Sequence, residues 1–432
     1  MGVDRKRLIA AASVAVSLAT SSGAMAGAFG IREQSAIGLG LEYAGAAAGS
    51  AGLSSMFWNP AAITMAPGWQ SEYNLSYINP QVKISPVAPT PTAAFGGSGE
   101  IGEGGGIVPS SYTSYQLTES LWVGLASTAP FGLITKPNDV WAGQVYSRSS
   151  KVFSANFNPI VGFKVNDWLS IAGGPTIEYF KTTLKSATGI APNSGSVILK
   201  GDDVGFGFTA GVTITPFQGT DIGLGYRSSI HHDIGGSLAT PVSWTAAHVN
   251  LNTPDTFNVG LRQRITDQLK LDFGFEFQNW SRLQVPGVVA DANGRVIATV
   301  PLAYKDGYFY SVGAEYQWDP RWAFRVGVAY EQSPIDLSNR STRVPDTDRV
   351  HVGLGATYQW NDKLAITASY AHIFSVGNNN DIRLVPGNPS FTPVGLPFIA
   401  NTDSSADLVS VALSYRWDTP AVAQPAPIIR KY

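Results

Sequence analysis

Strict alternation constrains this chain more than any other feature. From about residue 70 to 417 one theme repeats: roughly ten residues with every second side chain apolar, then a turn. Trp322, Phe324, Val326, Val328 and Tyr330 share one phase; Ala323, Arg325, Gly327, Ala329 and Glu331 share the other. Leu269, Leu271, Phe273, Phe275 and Phe277 alternate in the same way with Lys270, Asp272, Gly274 and Glu276. So do Val204, Phe206, Phe208, Ala210, Val212 and Ile214 with Gly205, Gly207, Thr209, Gly211 and Thr213. A period of two gives a strand one greasy face and one polar face.

A soluble sandwich or solenoid would bury the greasy face against a second layer. Two features favour lipid instead. Aromatics sit beside short turns, as in Trp318-Asp319-Pro320-Arg321-Trp322, Trp360-Asn361-Asp362 and Asn166-Asp167-Trp168, where a membrane-interface girdle would stand. The opposite face carries Arg262, Arg264, Lys270, Asp272, Glu276, Arg325, Glu331 and Arg349, which a packed core would not tolerate unpaired. Charged residues make up only 14% of the chain, against about 25% in soluble domains.

Strands are expected near 70–84, 109–118, 121–128, 149–165, 168–185, 202–216, 220–235, 255–265, 268–284, 301–318, 321–333, 343–360, 363–376 and 406–417. Tight turns alternate with long Pro/Gly/Asn-rich loops at about 86–108, 129–148, 186–201, 236–254, 285–300, 334–342 and 377–405. The expected fold is all-β: a 14-stranded antiparallel transmembrane β-barrel over 70–417, multi-pass in a bacterial outer membrane. A barrel that wide needs something to fill it. Residues 27–69, small and partly helical, are placed there as a plug.

Ahead of the plug lies an export signal. Arg5, Lys6 and Arg7 precede an apolar stretch over 8–20, and Ala24-Met25-Ala26 is a small-x-small cleavage site, so the mature chain is expected to start at Gly27. An uncleaved anchor is the alternative, because residues 8–31 carry no charge. A Pro-rich tail, 418–432, follows the last strand.

Gly38-Leu39-Gly40, Tyr43 and Gly45, then Asn59-Pro60-Ala61, with Pro345-Asp346-Thr347-Asp348-Arg349 opening a late strand, resemble the outer-membrane transport family typified by the long-chain fatty-acid channel and its aromatic-hydrocarbon relatives. The resemblance implies an N-terminal hatch that blocks the lumen, a hydrophobic ligand held near the mature N-terminus, and sideways exit through a kinked strand wall. It marks Asn59, Pro60 and Ala61 as the hatch element, Phe29 as the aromatic beside the ligand, and Asp348 and Arg349 as the late-strand motif. Two departures stand out. No acidic residue lies between Ala44 and Trp58, which removes one basis for charge-driven gating, and the Pro-rich tail extends past the terminal aromatic Trp417.

Physics reaches a similar place. Phe309, Trp122, Phe180 and Trp280 fall in the inward phase and would line an apolar route. Arg227, Arg262, Arg264 and Arg325 are candidates to hold a carboxylate head group. Their alternative is structural pairing with Glu276, Glu315 or Glu331. Gly205/Gly207, Gly223/Gly225 and Gly353/Gly355 would give the plug room.

Other chemistry has little to stand on. The chain has no Cys and no HExxH, so neither a metal nor another cofactor is implied. With a net charge of −2 it lacks the basic excess that nucleic acid requires. The expected partners are hydrophobic small molecules and outer-membrane lipid, and the expected state is a monomer. The functional reading is passive uptake of long-chain fatty acids or aromatic hydrocarbons, not an enzyme. The rivals are an adhesive barrel that binds through its outer loops and a lipid hydrolase using His351 with Thr357 or Ser311.

Overall fold

The computed structural model describes residues 27–418 apart from 88–89, 102–104, 138–139 and 377–380. The expected signal, 1–26, and nearly all of the Pro-rich tail lie outside the described residues. Among those described, fourteen long strands form a closed antiparallel ring. β1 (Trp69–Pro86), β2 (Gly106–Gln116), β3 (Leu121–Thr128) and β4 (Ser149–Lys164) lead to β5 (Leu169–Ala187), β6 (Ser196–Phe217) and β7 (Thr220–Arg227). β8 (Thr256–Arg264), β9 (Leu269–Gln278), β10 (Gly307–Gln317) and β11 (Trp322–Gln332) precede β12 (Arg349–Gln359), β13 (Leu364–Ser375) and β14 (Phe398–Arg416). Each strand pairs with the next, and β14 closes on β1 from Gln70↔Arg416 to Pro86↔Ala400. Closure leaves no free edge, the condition for a sheet to stand in lipid.

The faces sort as the alternation requires. Along β11 exposed and buried residues alternate without a break, with Phe324, Val326, Val328 and Tyr330 outside and Arg325, Gly327 and Glu331 inside. Trp168, Trp318, Trp322 and Trp360 are exposed beside the short turns, and Trp69 stacks on Trp417 at 5.2 Å where the ring closes.

The outer end differs from the sequence expectation. Much of 236–254, 285–300 and 377–405, expected as loop, is strand. Hairpins form over His231–Ala239/Trp244–Asn252 and Gly287–Ala290/Val296–Thr299, Asp381–Leu384 pairs with β14, and β14 itself starts at Phe398. The expected strand 220–235 is interrupted after Arg227. Ile230 turns inward there over Gly205 and Gly207, whose missing side chains make its room. Those two glycines therefore receive a loop and not the plug.

Residues 27–68 fold back into the ring and are almost wholly buried. Ser35 accepts from Gly38 N at 2.9 Å and caps a short helix, Ala36–Leu39, which short 3-10 turns follow. Inner-face glycines receive this segment. A Cβ on Gly223 would lie 1.7 Å from Ala47 O, one on Gly225 1.8 Å from Trp58 O, and one on Gly353 2.4 Å from Leu39 O. Only a residue without a side chain allows such approach.

Candidate functional site

Asn59 fastens the segment to the wall. Its Oδ1 accepts from Ala61 N at 2.9 Å, capping the turn Pro60–Met65, and its Nδ2 donates to Ala47 O at 2.7 Å and to Val212 O of β6 at 3.0 Å. Pro60 suits the first position of that turn because its missing N–H is not needed there. Asn59, Pro60 and Ala61 are all buried.

The wall has a gap, and the start of the described chain lies in it. Pairing between β2 and β3 ends at Ser111↔Ser127. β3 stops at Thr128, and its course resumes as the short strand Gly132–Thr135, which pairs with β4 alone. Over this interval Ile31 N donates to Pro130 O at 2.8 Å, Gly132 N to Phe29 O at 2.9 Å, and Gln34 Nε2 to Ala129 O at 2.8 Å. On the other flank Ser110 Oγ donates to Gln34 O at 2.7 Å. Residues 29–34 thus supply backbone partners to 129–132 in place of β2, and meet β2 itself through the Ser110 and Tyr112 hydroxyls, both of which donate to Gln34 O.

Beside the gap lies an apolar cavity of about 300 Å³. Phe29 lines it, packed edge-on against Trp280 at 4.8 Å and Phe131 at 6.0 Å. Val152, Phe180, Leu199, Val249, Leu251 and Val288 contribute from the strands and hairpins of the outer half. Arg343 also lines it, partly exposed there. Its Nη1 reaches Ser150 Oγ at 3.2 Å, and no carboxylate lies within ion-pair distance of it among the described residues. Burial pushes this guanidinium down to about 10, so it is still charged at neutral pH. A greasy chamber with one cation on its wall can hold a long apolar chain that ends in a carboxylate.

A second cluster lies between the segment and β9, β11 and β12. Arg32 pairs with Glu276 at 2.8 Å and Glu331 at 2.5 Å. His351 lies 3.3 Å from Glu331 and 3.5 Å from Glu42. Arg349 pairs with Asp346 and, at 3.5 Å, with Glu331. Asp348 holds the neighbouring loop, accepting from Ser333 N at 2.9 Å and Tyr330 OH at 2.8 Å.

The candidates from the sequence therefore divide. Phe29, Phe180 and the Phe29 neighbour Trp280 meet at the cavity. Arg349 and Asp348 lie in and beside the charged cluster, and Asn59 lies on the β6 wall. Trp122 instead donates to Ala66 O at 2.9 Å, and Phe309 packs under Arg32 at 4.1 Å. The four arginines picked as head-group holders are absent from the cavity lining. Arg262 and Arg325 pair with Glu315 at 2.6 and 2.8 Å, Arg227 stacks on Phe57 at 4.5 Å, and Arg264 is exposed beside a turn. Arg343, the first residue of the strand expected over 343–360, is not among the sequence candidates, and no local feature of the sequence marks it as a cavity residue. Thr357 bonds Arg325 and Thr367 rather than His351.

Comparison with known proteins agrees with this architecture. The family model described as outer membrane protein transport protein (OMPP1/FadL/TodX) matches residues 17–417. The long-chain fatty acid transport protein of Salmonella typhi is 26% identical over 87% of this chain and 95% of its own length. Outer membrane protein P1 of Haemophilus influenzae is 26% identical over 82% of this chain and 88% of its own. Among solved structures, a Pseudomonas aeruginosa FadL homologue superposes with a TM-score of 0.80 at 21% identity, covering 91% of this chain and all of that one. The Pseudomonas putida toluene transporter TodX superposes at 0.67 and 15% identity, over 89% and 99%.

Proposed function

The chain belongs to the OMPP1/FadL/TodX family of outer membrane transport proteins, and from that premise we propose that it takes up long-chain fatty acids, with Arg343 as the carboxylate contact. The family comprises outer-membrane channels for hydrophobic substrates rather than enzymes. The observation that carries the finer reading is Arg343, a cation without a carboxylate partner among the described residues, on the wall of a mostly apolar cavity whose other polar groups are hydroxyls. Relatives named as long-chain fatty acid transport proteins support it.

In this reading residues 27–68 are a hatch. Phe29 packs against the ligand, and displacing residues 29–34 from Ala129, Pro130 and Gly132 opens the wall between β2 and β3 to the membrane. Exit would be sideways and down the concentration gradient. Asn59, Pro60 and Ala61 hold the far end of the hatch in place while its near end moves.

The test is uptake in bacteria lacking their own fatty-acid channel. A labelled long-chain fatty acid is compared with a labelled alkylbenzene, for wild type and Asn59→Ala at equal surface expression. Fatty-acid uptake is expected in wild type. Asn59→Ala loses a cap worth about 1 kcal/mol and leaves the buried Ala47 carbonyl short of a donor, so uptake should fall severalfold with the barrel intact. Uptake of the hydrocarbon alone would discard the role of Arg343. Uptake of neither would bring forward an adhesive barrel acting through its outer loops.

A further inference from the structure

The charged cluster beside Phe29 is unbalanced. Five buried carboxyl groups, those of Glu33, Glu42, Glu276, Glu331 and Asp346, share it with three guanidinium groups, Arg32, Arg349 and Arg340, whose Nε donates to Asp346 O at 2.7 Å, and one imidazole, His351. Glu33 Oε2 is buried there with no hydrogen-bond partner among the described residues. Excess anionic charge away from water is costly, and a cation in contact offsets it.

The first described residue points into this cluster. Gly27 is buried, and its backbone nitrogen lies 2.8 Å from Glu331 Oε1. The next nitrogen, of Ala28, lies 3.0 Å from Asp346 Oδ2, and Gly30 N donates back to Gly27 O at 3.1 Å. A Cβ on Gly27 would stand 2.7 Å from Glu331 Oε1, so a glycine suits the closest approach of this nitrogen to the carboxylate. A peptide nitrogen would offer Glu331 one hydrogen and no charge. A chain terminus would offer three hydrogens and a full positive charge, with no preceding chain to lead out from a buried point.

We infer that the α-ammonium group of Gly27, freed by cleavage after Ala26, is an additional cation of this cluster and pins the N-terminal segment to Glu331. Export processing then does more than release the chain: it creates the charge that seats the segment. The anchor lies two residues before Phe29 and three before Gly30, so it sets the position of both the cavity aromatic and the extended stretch that fills the wall gap. The inference stands apart from the identity of the compound carried, because it concerns the empty barrel.

Intact mass and amine labelling of the purified full-length barrel in detergent test it. The mature chain is expected to begin at Gly27. An acylating reagent near neutral pH, where an ordinary α-amine with pKa about 7.7–8.0 is partly deprotonated, should label Gly27 at least about tenfold more slowly in the folded than in the unfolded barrel. Glu331→Gln, which keeps the shape and removes the charge, should restore most of that rate. If Glu331→Gln does not assemble, wild-type protein ¹³C-methylated at Gly27 before refolding decides the matter. Its amine should titrate about one pH unit or more above the ordinary range. A start at another residue, labelling as fast folded as unfolded, protection unchanged in Glu331→Gln, or an ordinary titration would each overturn the inference.

Discussion

Replacing Arg343 with Met should weaken fatty-acid binding by about ten- to a hundredfold while leaving the barrel's heat stability unchanged. A hydrogen bond to a charged group contributes about 1.5–3 kcal/mol, and each 1.4 kcal/mol is about tenfold in affinity. Met fills similar space without charge. The guanidinium's present neighbours are the Ser150 hydroxyl at 3.2 Å and the Ser149 and Lys185 carbonyls at 3.4 Å, none of them charged, so its removal strands no buried anion. The measurement is ligand binding by the purified barrel, with a fatty acid, its methyl ester and an alkylbenzene of similar length. The acid should lose affinity, and the two neutral ligands should keep it or gain. Equal loss for all three would mean that Arg343 shapes the cavity and does not read the head group.

This residue also shows where sequence reasoning stops. The wall was legible because each strand carries its own evidence: period-two alternation, interfacial Trp and short Asn/Asp turns identify β11 or β12 without reference to any neighbour. The interior glycines were legible for the same reason, since Gly223, Gly225 and Gly353 fall in the inward phase of strands already recognised. Arg343 belongs to no strand. It precedes β12 in an outer connection, at the edge of a segment expected as strand over 343–360, and its neighbours at the cavity come from β4, β5 and the outer hairpins. Only the closed ring brings them together. The hairpin strands are less hidden: Ile234 and Asp233 already lie in the strand expected over 220–235, and within the expected loop 236–254 Val249 and Leu251 alternate with Asn250 and Asn252, a signal outweighed by the Gly, Pro and Ser of the intervening turn. The wall gap had no sequence signal beyond Pro130 within an expected loop. Its meaning depends on register, since the break appears only as ladder pairs that β2 and β3 do not form.

The hatch itself makes the other large prediction. Gly223→Leu should convert a closed barrel into a leaky one. The added Cβ would meet Ala47 O at 1.7 Å, with Ala47 C at 2.2 Å and Ala48 N at 2.7 Å, so it strikes backbone, which has no rotamer to yield. Either the wall or the segment must move. The wall at that point is tied on both sides, β7 to β6 through Thr213↔Gly223 and to β8 through Gly223↔Gly260, within a ring that has no free end. The segment is held to the wall there by fewer bonds: Asn59 Nδ2 to Val212 O at 3.0 Å, Gly45 N to Phe273 O at 3.0 Å and Arg262 Nη1 to Gly49 O at 3.4 Å. Overpacking costs typically about 1–3 kcal/mol, comparable with what those contacts supply, so the segment should be the part that gives way. Planar-bilayer recordings should then show steady ion conductance where wild type shows little, and cells carrying the variant should admit large hydrophilic antibiotics. A Gly235→Leu control has no atom within 4 Å of its added Cβ and should behave as wild type. A Gly223→Leu barrel that assembles and stays tight would mean that the wall, not the segment, absorbs the strain, and residues 27–68 would then be a fixed part of the barrel rather than a movable hatch.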